Sequence, residues 1–318
     1  MFQLPPSPLN RFLEKRGVLI LDGGLATELE ERGIDLNSHL WSAHLLKSNP
    51  DAIREVHMAY LEAGADIIIS ASYQASISGF LAHGIANGDA RTLLRRSVTL
   101  AKEARDYFIE SAKNKGIEII PPLVAAGIGP YGAYLADGSE YLGNYGVSKD
   151  ILKQFHQERW EILAGSETDL MACETIPSFK EAKVLRDLIK STPGNYAWIS
   201  FSCRDGKHIS DGTQLKECAA LFNDCEQVLA VGINCTAPRY VSSLIKEVQA
   251  GAPGKLVIVY PNSGEAYDGE NHCWLERSDP VNCEDAALEW YKQGARLIGG
   301  CCRMGPGHIK AISEALKG

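Results

Sequence analysis

Eight short apolar runs recur along the chain, each followed by an amphipathic segment, and this alternation constrains the fold more than any other feature. The runs fall at 18–21, 66–72, 123–128, 170–175, 197–202, 228–233, 256–260 and 296–300. Apolar runs of this length separated by segments of helical period are the pattern of βα units around a parallel sheet. A short helical lead-in over 11–16 precedes the first run, and helices are expected over 50–63, 89–112, 149–164, 178–190, 214–222, 240–249, 285–293 and 307–316. The 50–63 helix is the most sharply punctuated, with Asn49 as N-cap, Pro50 in the first turn and Gly64 as the stop. Residues 129–145, rich in glycine and tyrosine, are longer than a usual βα connection and are expected to be a loop that covers substrate.

Eight such units predict a closed (β/α)₈ barrel, with an open doubly wound sheet as the alternative. Polar or reactive residues follow strands scattered through the order: Asp22, Ser72 and Tyr73, Glu174, Cys235, Asn262, Cys301 and Cys302. Only a closed ring gathers all of them at one mouth, so the expectation is one α/β barrel domain over 1–318. The formal net charge of −8 argues against nucleic acid or an anionic membrane as partner. Residues 1–8 lack a charged segment leading into an apolar one, and no apolar run reaches membrane-spanning length, which points to the cytosol. Nine cysteines, an odd number in a chain of 318 residues, suit reduced thiols or metal ligation better than a disulfide framework.

Within Leu297-Ile298-Gly299-Gly300-Cys301-Cys302-Arg303, two adjacent thiols end the last apolar run. Successive side chains in a strand face opposite ways, so one thiol of the pair would miss any single core layer unless the chain bends. The two glycines permit such a bend. Cys235, at the end of the sixth run, is the candidate third ligand. Three thiolates favour Zn²⁺, and three protein ligands leave a coordination position open to substrate. Zn²⁺ with three thiolates carries a formal charge of −1. That makes it a poor activator of water but a good holder of an incoming thiol as thiolate, so alkyl transfer to sulfur is the reaction that fits.

The whole chain resembles the homocysteine S-methyltransferase family. The resemblance lies in Leu21-Asp22-Gly23-Gly24 with Thr27-Glu28, in Ala71-Ser72-Tyr73-Gln74-Ala75, and in Gly127-Ile128-Gly129-Pro130-Tyr131-Gly132-Ala133-Tyr134. It continues in Cys173-Glu174-Thr175, Gly232-Ile233-Asn234-Cys235, Tyr260-Pro261-Asn262-Ser263-Gly264-Glu265 and Gly299-Gly300-Cys301-Cys302-Arg303. It implies a zinc-dependent (β/α)₈ barrel whose zinc cysteines fall on Cys235, Cys301 and Cys302. The stretch from Tyr131 through Glu140 and Tyr141 is most similar to members that methylate homocysteine to methionine with S-methylmethionine, and less efficiently with S-adenosylmethionine.

On that reading Asp22 and Glu174 would clamp the homocysteine ammonium, although Asp22 is equally placed to be a turn or cap residue. Gly23 and Gly24 would offer N–H groups to the substrate carboxylate, or simply form a tight turn. Tyr73, Tyr131 and Tyr134 are candidate aromatic faces for the sulfonium of the donor, with packing as their other reading. Asn234 and Asn262 would position substrate or the groups around it. Arg303 would balance the anionic site or form a structural ion pair. His208, His272 and His308 read as surface residues, with His308 a competitor for the metal. Cys173, Cys203, Cys218, Cys225, Cys273 and Cys283 read as structural or exposed thiols. The alternatives are a barrel that uses S-adenosylmethionine or betaine or methylates selenocysteine, and a non-catalytic redox or zinc-storage protein.

Overall fold

A computed structural model describes residues 6–36, 42–264, 266–268, 273–275 and 282–318. Its eight-stranded parallel sheet comprises β1 (Leu19–Ile20), β2 (Ile67–Ile69), β3 (Leu123–Ile128), β4 (Leu170–Ile176), β5 (Ala197–Phe201), β6 (Val228–Asn234), β7 (Leu256–Tyr260) and β8 (Ala295–Ile298). Neighbours follow chain order from β2 to β8, and β8 pairs with β1. The ring closes between β1 and β2 through a parallel bridge of Leu21 with Ile67 and through Asp66 N–H donating to Ile20 O. This is the expected (β/α)₈ barrel.

Strand parity sorts the core into two shells, because alternate side chains face opposite sides of a strand. Leu19, Ile67, Leu123, Ala125, Leu170, Ala172, Trp198, Ala230, Ile258, Tyr260 and Leu297 fill the lumen. Ile20, Ile68, Val124, Met171, Cys173, Ile199, Val231, Val259 and Ile298 face the surrounding helices. The same parity aims Cys173 outward, and it leaves the next residue, Glu174, for the mouth.

Most expected elements sit where the pattern places them, and three differences have physical causes. The second strand stops at Ile69 rather than Ser72. There the Ser70 hydroxyl accepts from Gly127 N–H (3.2 Å) and the Ser72 hydroxyl donates to Gly127 O (2.7 Å), so side chains replace the ladder. Residues 129–145, expected as loop throughout, contain a helix at Tyr131–Leu135 and a 3₁₀ turn at Ser139–Tyr141. Short helices at Ser42–Ser48 and Ile77–Ala82 and an antiparallel pair, Ala266–Asp268 with Cys273–Leu275, were not foreseen. His272 lies outside the described residues.

Candidate metal centre

Beyond β8 the backbone binds alternately to both neighbours: Gly299 N–H to Val259 O, Gly300 N–H to Asp22 O and Cys301 N–H to Pro261 O. Met304 N–H then reaches back 3.1 Å to Cys301 O, closing a four-residue turn with Cys302 and Arg303 at its centre. Arg303 occupies the left-handed region (φ 60°), as the third residue of a type II turn must. This turn is how adjacent cysteines come to share one side. Cys235 arrives from β6 with φ 46°, its N–H donated to Tyr260 O.

The three sulfurs lie within 4.8 Å of one another, with Cys235 Sγ 3.6 Å and Cys301 Sγ 4.0 Å from Cys302 Sγ. A tetrahedral zinc with Zn–S bonds of about 2.3 Å requires sulfurs about 3.8 Å apart. The donor set therefore fits a thiophilic cation in both chemistry and spacing. Among the three thiols, hydrogen bonds from Cys301 and Cys302 hold Cys235 well below the ordinary thiol range. Cys302 is driven up by its hydrogen bonds to the other two sulfurs and by burial.

The glycines after β1 make this proximity possible. A Cβ on Gly24 would fall 2.7 Å from Cys301 O, and one on Gly23 would fall 1.9 Å from Met304 O. Gly24 N–H, expected to receive a substrate carboxylate, is donated instead to Met304 O at 3.1 Å. Gly24 thus contributes close approach and helps fix the cysteine turn.

Asp22 and Glu174 both face this mouth and are 3% and 7% exposed. Asp22 Oδ2 accepts Ile69 N–H at 2.7 Å, and Tyr260 OH donates to Glu174 Oε2 at 3.4 Å. Neither forms an ion pair among the described residues. Burial pushes both carboxyls well above their usual range, and the negative charge of Cys301 pushes each further. Glu174 leaves the ladder at a register shift between Cys173 and Ile176, where Thr175 takes a φ of 58°. A β-branched residue in that region is strained, and such strain collects at functional sites.

Asn234 is fully buried and acts on the frame. Its Oδ1 accepts Thr175 N–H (2.6 Å) and Ser200 OH (2.8 Å), while its Nδ2 lies 2.7 Å from Thr175 Oγ1 and 3.8 Å from Cys301 Sγ. Asn262 holds a turn, accepting Gly264 N–H at 3.1 Å. Tyr73 stands by Thr175 and within reach of the Cys235 and Glu174 charges. Tyr131 and Tyr134 pack against each other (5.6 Å between centroids) and against Phe155. The Arg303 charge acts on Glu30. His308 Nδ1 accepts Gly305 N–H at a helix start, and His208 binds Asp205. Cys173, Cys218 and Cys225 are buried thiols, and Cys203 and Cys283 are partly buried.

Three residues of the site escaped the sequence reading as agents. Tyr141 OH lies 3.6 Å from Cys235 Sγ. Tyr260 OH links Glu174 to Trp198 Nε1 and the Ser200 hydroxyl. Glu140, beside Tyr141, is buried. Tyr260 could have been found as the polar end of an otherwise aliphatic strand. Glu140 and Tyr141 lie in a segment without periodicity, and only the folded cover brings them to the mouth.

Comparison with known proteins converges on one family. Residues 19–316 match the family described as homocysteine S-methyltransferase. Homocysteine S-methyltransferase YbgG of Bacillus subtilis is 47% identical over 96% of this chain and 97% of its own. The selenocysteine Se-methyltransferase of Brassica oleracea is 46% identical over 95% of this chain and 90% of its own. The metallated form of the Escherichia coli homocysteine methyltransferase MmuM superposes with a TM-score of 0.85 at 42% identity, covering 96% of this chain and 99% of that one. A barrel with three convergent thiols at its mouth, matched along nearly its whole length, belongs to the homocysteine S-methyltransferase family.

Proposed function

We propose that the chain transfers a methyl group from S-methylmethionine, and less efficiently from S-adenosylmethionine, to L-homocysteine, with Zn²⁺ held by Cys235, Cys301 and Cys302. The observation that carries the reading is the pairing of a three-thiol cluster with two buried carboxylates that form no ion pair among the described residues. Zinc bound there would lower the proton affinity of an added thiol while three thiolates keep that sulfur electron-rich.

Asp22 and Glu174 hold the acceptor's ammonium, the cation their buried charges call for. Asn234 fixes the Cys301 sulfur and the strained Thr175, and Tyr260 orients Glu174. Tyr73 offers an aromatic face to the sulfonium, while Tyr131 and Tyr134 build the wall behind it. A lone pair on the acceptor sulfur forms the new S–CH₃ bond, and the breaking C–S bond leaves its electrons on the donor sulfur. The donor departs as a neutral thioether, so the step needs no general acid, and positioning supplies most of the acceleration. Cys173, Cys203, Cys218, Cys225, Cys235, Cys301 and Cys302 are free thiols, which suits a reducing, cytosolic setting.

Metal analysis and isotope transfer test the reading together. Reduced protein should hold one zinc, and Cys302→Ser should lose it along with more than the roughly 100-fold activity that a supporting residue costs. Stoichiometric zinc with full activity in that variant would sink the metal assignment. Labelled S-methylmethionine that yields no labelled methionine would sink the donor. Side-by-side kinetics with S-adenosylmethionine, betaine and selenocysteine separate the remaining enzymatic readings.

A further inference from the structure

The cover segment after β3 is fixed at both ends by a buried ionic network. Arg159 donates to Gly129 O and binds His156 Nδ1. Glu181 Oε1 accepts from His156 Nε2 (2.7 Å) and Tyr131 N–H (2.6 Å), and its Oε2 accepts from Tyr145 OH (2.9 Å). Between these anchors the 3₁₀ turn Ser139–Tyr141 presses on Gly132, where a Cβ would meet Glu140 N at 2.4 Å. The Ser202 hydroxyl holds Glu140 O at 3.4 Å. The turn is thus built into the mouth, and it sets Tyr141 OH 3.6 Å from Cys235 Sγ.

Glu140 itself is 9% exposed, and its Oε2 has no hydrogen-bond partner among the described residues. Its charge acts on Tyr73, Tyr141, Tyr145 and Cys235, and Asp137 acts on it in turn. All of these neighbours are neutral or negative. A buried carboxylate within reach of the Cys235 thiol and the mouth tyrosines is costly unless a cation arrives with substrate. The acceptor brings one ammonium, which Asp22 and Glu174 take up. The remaining organic cations belong to the donor, its sulfonium and its own ammonium, and only the sulfonium is lost on reaction.

We infer that Glu140 is the counter-charge of the cationic methyl donor, and that it selects a sulfonium over the corresponding neutral thioether. The inference rests on the methyl-transfer reading above. It gives the turn a purpose in turnover as well, because the donor loses its sulfonium charge on reaction and the attraction holding the product falls.

The test compares zinc-loaded wild type with Glu140→Gln and Glu140→Asp. For Glu140→Gln the KM for S-methylmethionine should rise roughly tenfold or more, while the KM for homocysteine and the zinc content stay within twofold of wild type. Glu140→Asp, which keeps the charge, should recover part of the loss. Equilibrium binding of S-methylmethionine and of methionine supplies an arm independent of turnover: the wild-type preference for the sulfonium should collapse in Glu140→Gln. The melting temperature should hold or rise, because an uncompensated buried charge has been removed. An unchanged sulfonium preference overturns the inference, as does a lower melting temperature with both KM values rising together. If wild type transfers no methyl group from S-methylmethionine, the donor reading falls on its own, and the binding arm still decides Glu140.

Discussion

Asp22 and Asp66 flank the same seam of the barrel, one at each end, and the protein treats them in opposite ways. Both are buried, at 3% and 4% exposure. At the floor, Asp66 is saturated: Oδ1 meets Arg16 and Lys317, each at 2.8 Å, and Oδ2 accepts Ile20 N–H at 2.9 Å. At the mouth, Asp22 accepts Ile69 N–H and its own backbone N–H and forms no ion pair among the described residues. The first arrangement closes the ring and ties the C-terminal helix Pro306–Lys317 to it. The second leaves a carboxyl without a cation next to Glu174 and the cysteine turn, where burial pushes its pKa well above the usual range. In a (β/α)₈ barrel the floor is where stability is built and the mouth is where chemistry is done, and here the two carboxylates divide along that line.

The largest effect that could break the contrast is functional. Asp22→Asn should lower kcat/KM by 2–4 kcal/mol, about 30- to 1,000-fold, because it removes half of the clamp on the acceptor's ammonium. Its urea midpoint should hold or rise. Burial raises the Asp22 pKa above its unfolded value, so the charged form costs stability, and that cost grows as pH climbs past the unfolded carboxyl range. A lowered midpoint with normal kinetics would place Asp22 with Asp66 and dissolve the distinction.

Asp66→Asn should give the mirror image. It strands two cations that are themselves partly exposed, so a loss of about 2–3 kcal/mol in unfolding free energy is expected. The kcat/KM of the folded fraction should stay within about threefold of wild type, since sites this far apart with no shared partners act nearly independently. Urea titration and steady-state kinetics on the same preparation read both quantities. A large kinetic loss would mean that the seam transmits strain from floor to mouth.

The sequence carried the barrel and the cysteine trio for different reasons. The barrel was legible because eight apolar runs alternate with helical segments, a pattern that many residues share and no single one decides. Cys301 and Cys302 were legible because adjacent thiols at a strand end have no comfortable packing role. The difference between Asp22 and Asp66 was not legible, because both are aspartates beside apolar runs. What separates them is the arrival of Arg16 and Lys317, 50 and 251 residues away from Asp66. Glu140 and Tyr141 were quoted only as part of a matching stretch, since their significance depends on a cover that Glu181, His156 and Arg159 hold in place. Asn234 was read as a group near substrate, and its partners in the fold, Thr175, Ser200 and Cys301, come from three other strands or strand ends.

The smallest effect sharpens the comparison most, because it asks whether lacking a partner is enough to mark a functional group. His57, on helix Pro50–Glu62, is fully buried, and neither ring nitrogen has a hydrogen-bond partner among the described residues. Burial lowers its pKa to about 4. Like the mouth carboxyls it is pushed towards its neutral form by burial, but no neighbouring charge is among the causes. A histidine whose folded pKa lies below its unfolded value near 6.5 carries no ionisation penalty at high pH and loses stability as pH falls towards 4. At pH 5 that loss is roughly 2 kcal/mol. His57→Leu should therefore raise the urea midpoint at pH 5 more than at pH 7.5 and leave kcat/KM unchanged. A kinetic defect in His57→Leu would show that an unpartnered buried group can matter to turnover wherever it sits. Unchanged kinetics with an acid-side gain in stability would show instead that placement at the mouth, among Asp22, Glu174 and Glu140, is what turns an unpaired group into a functional one.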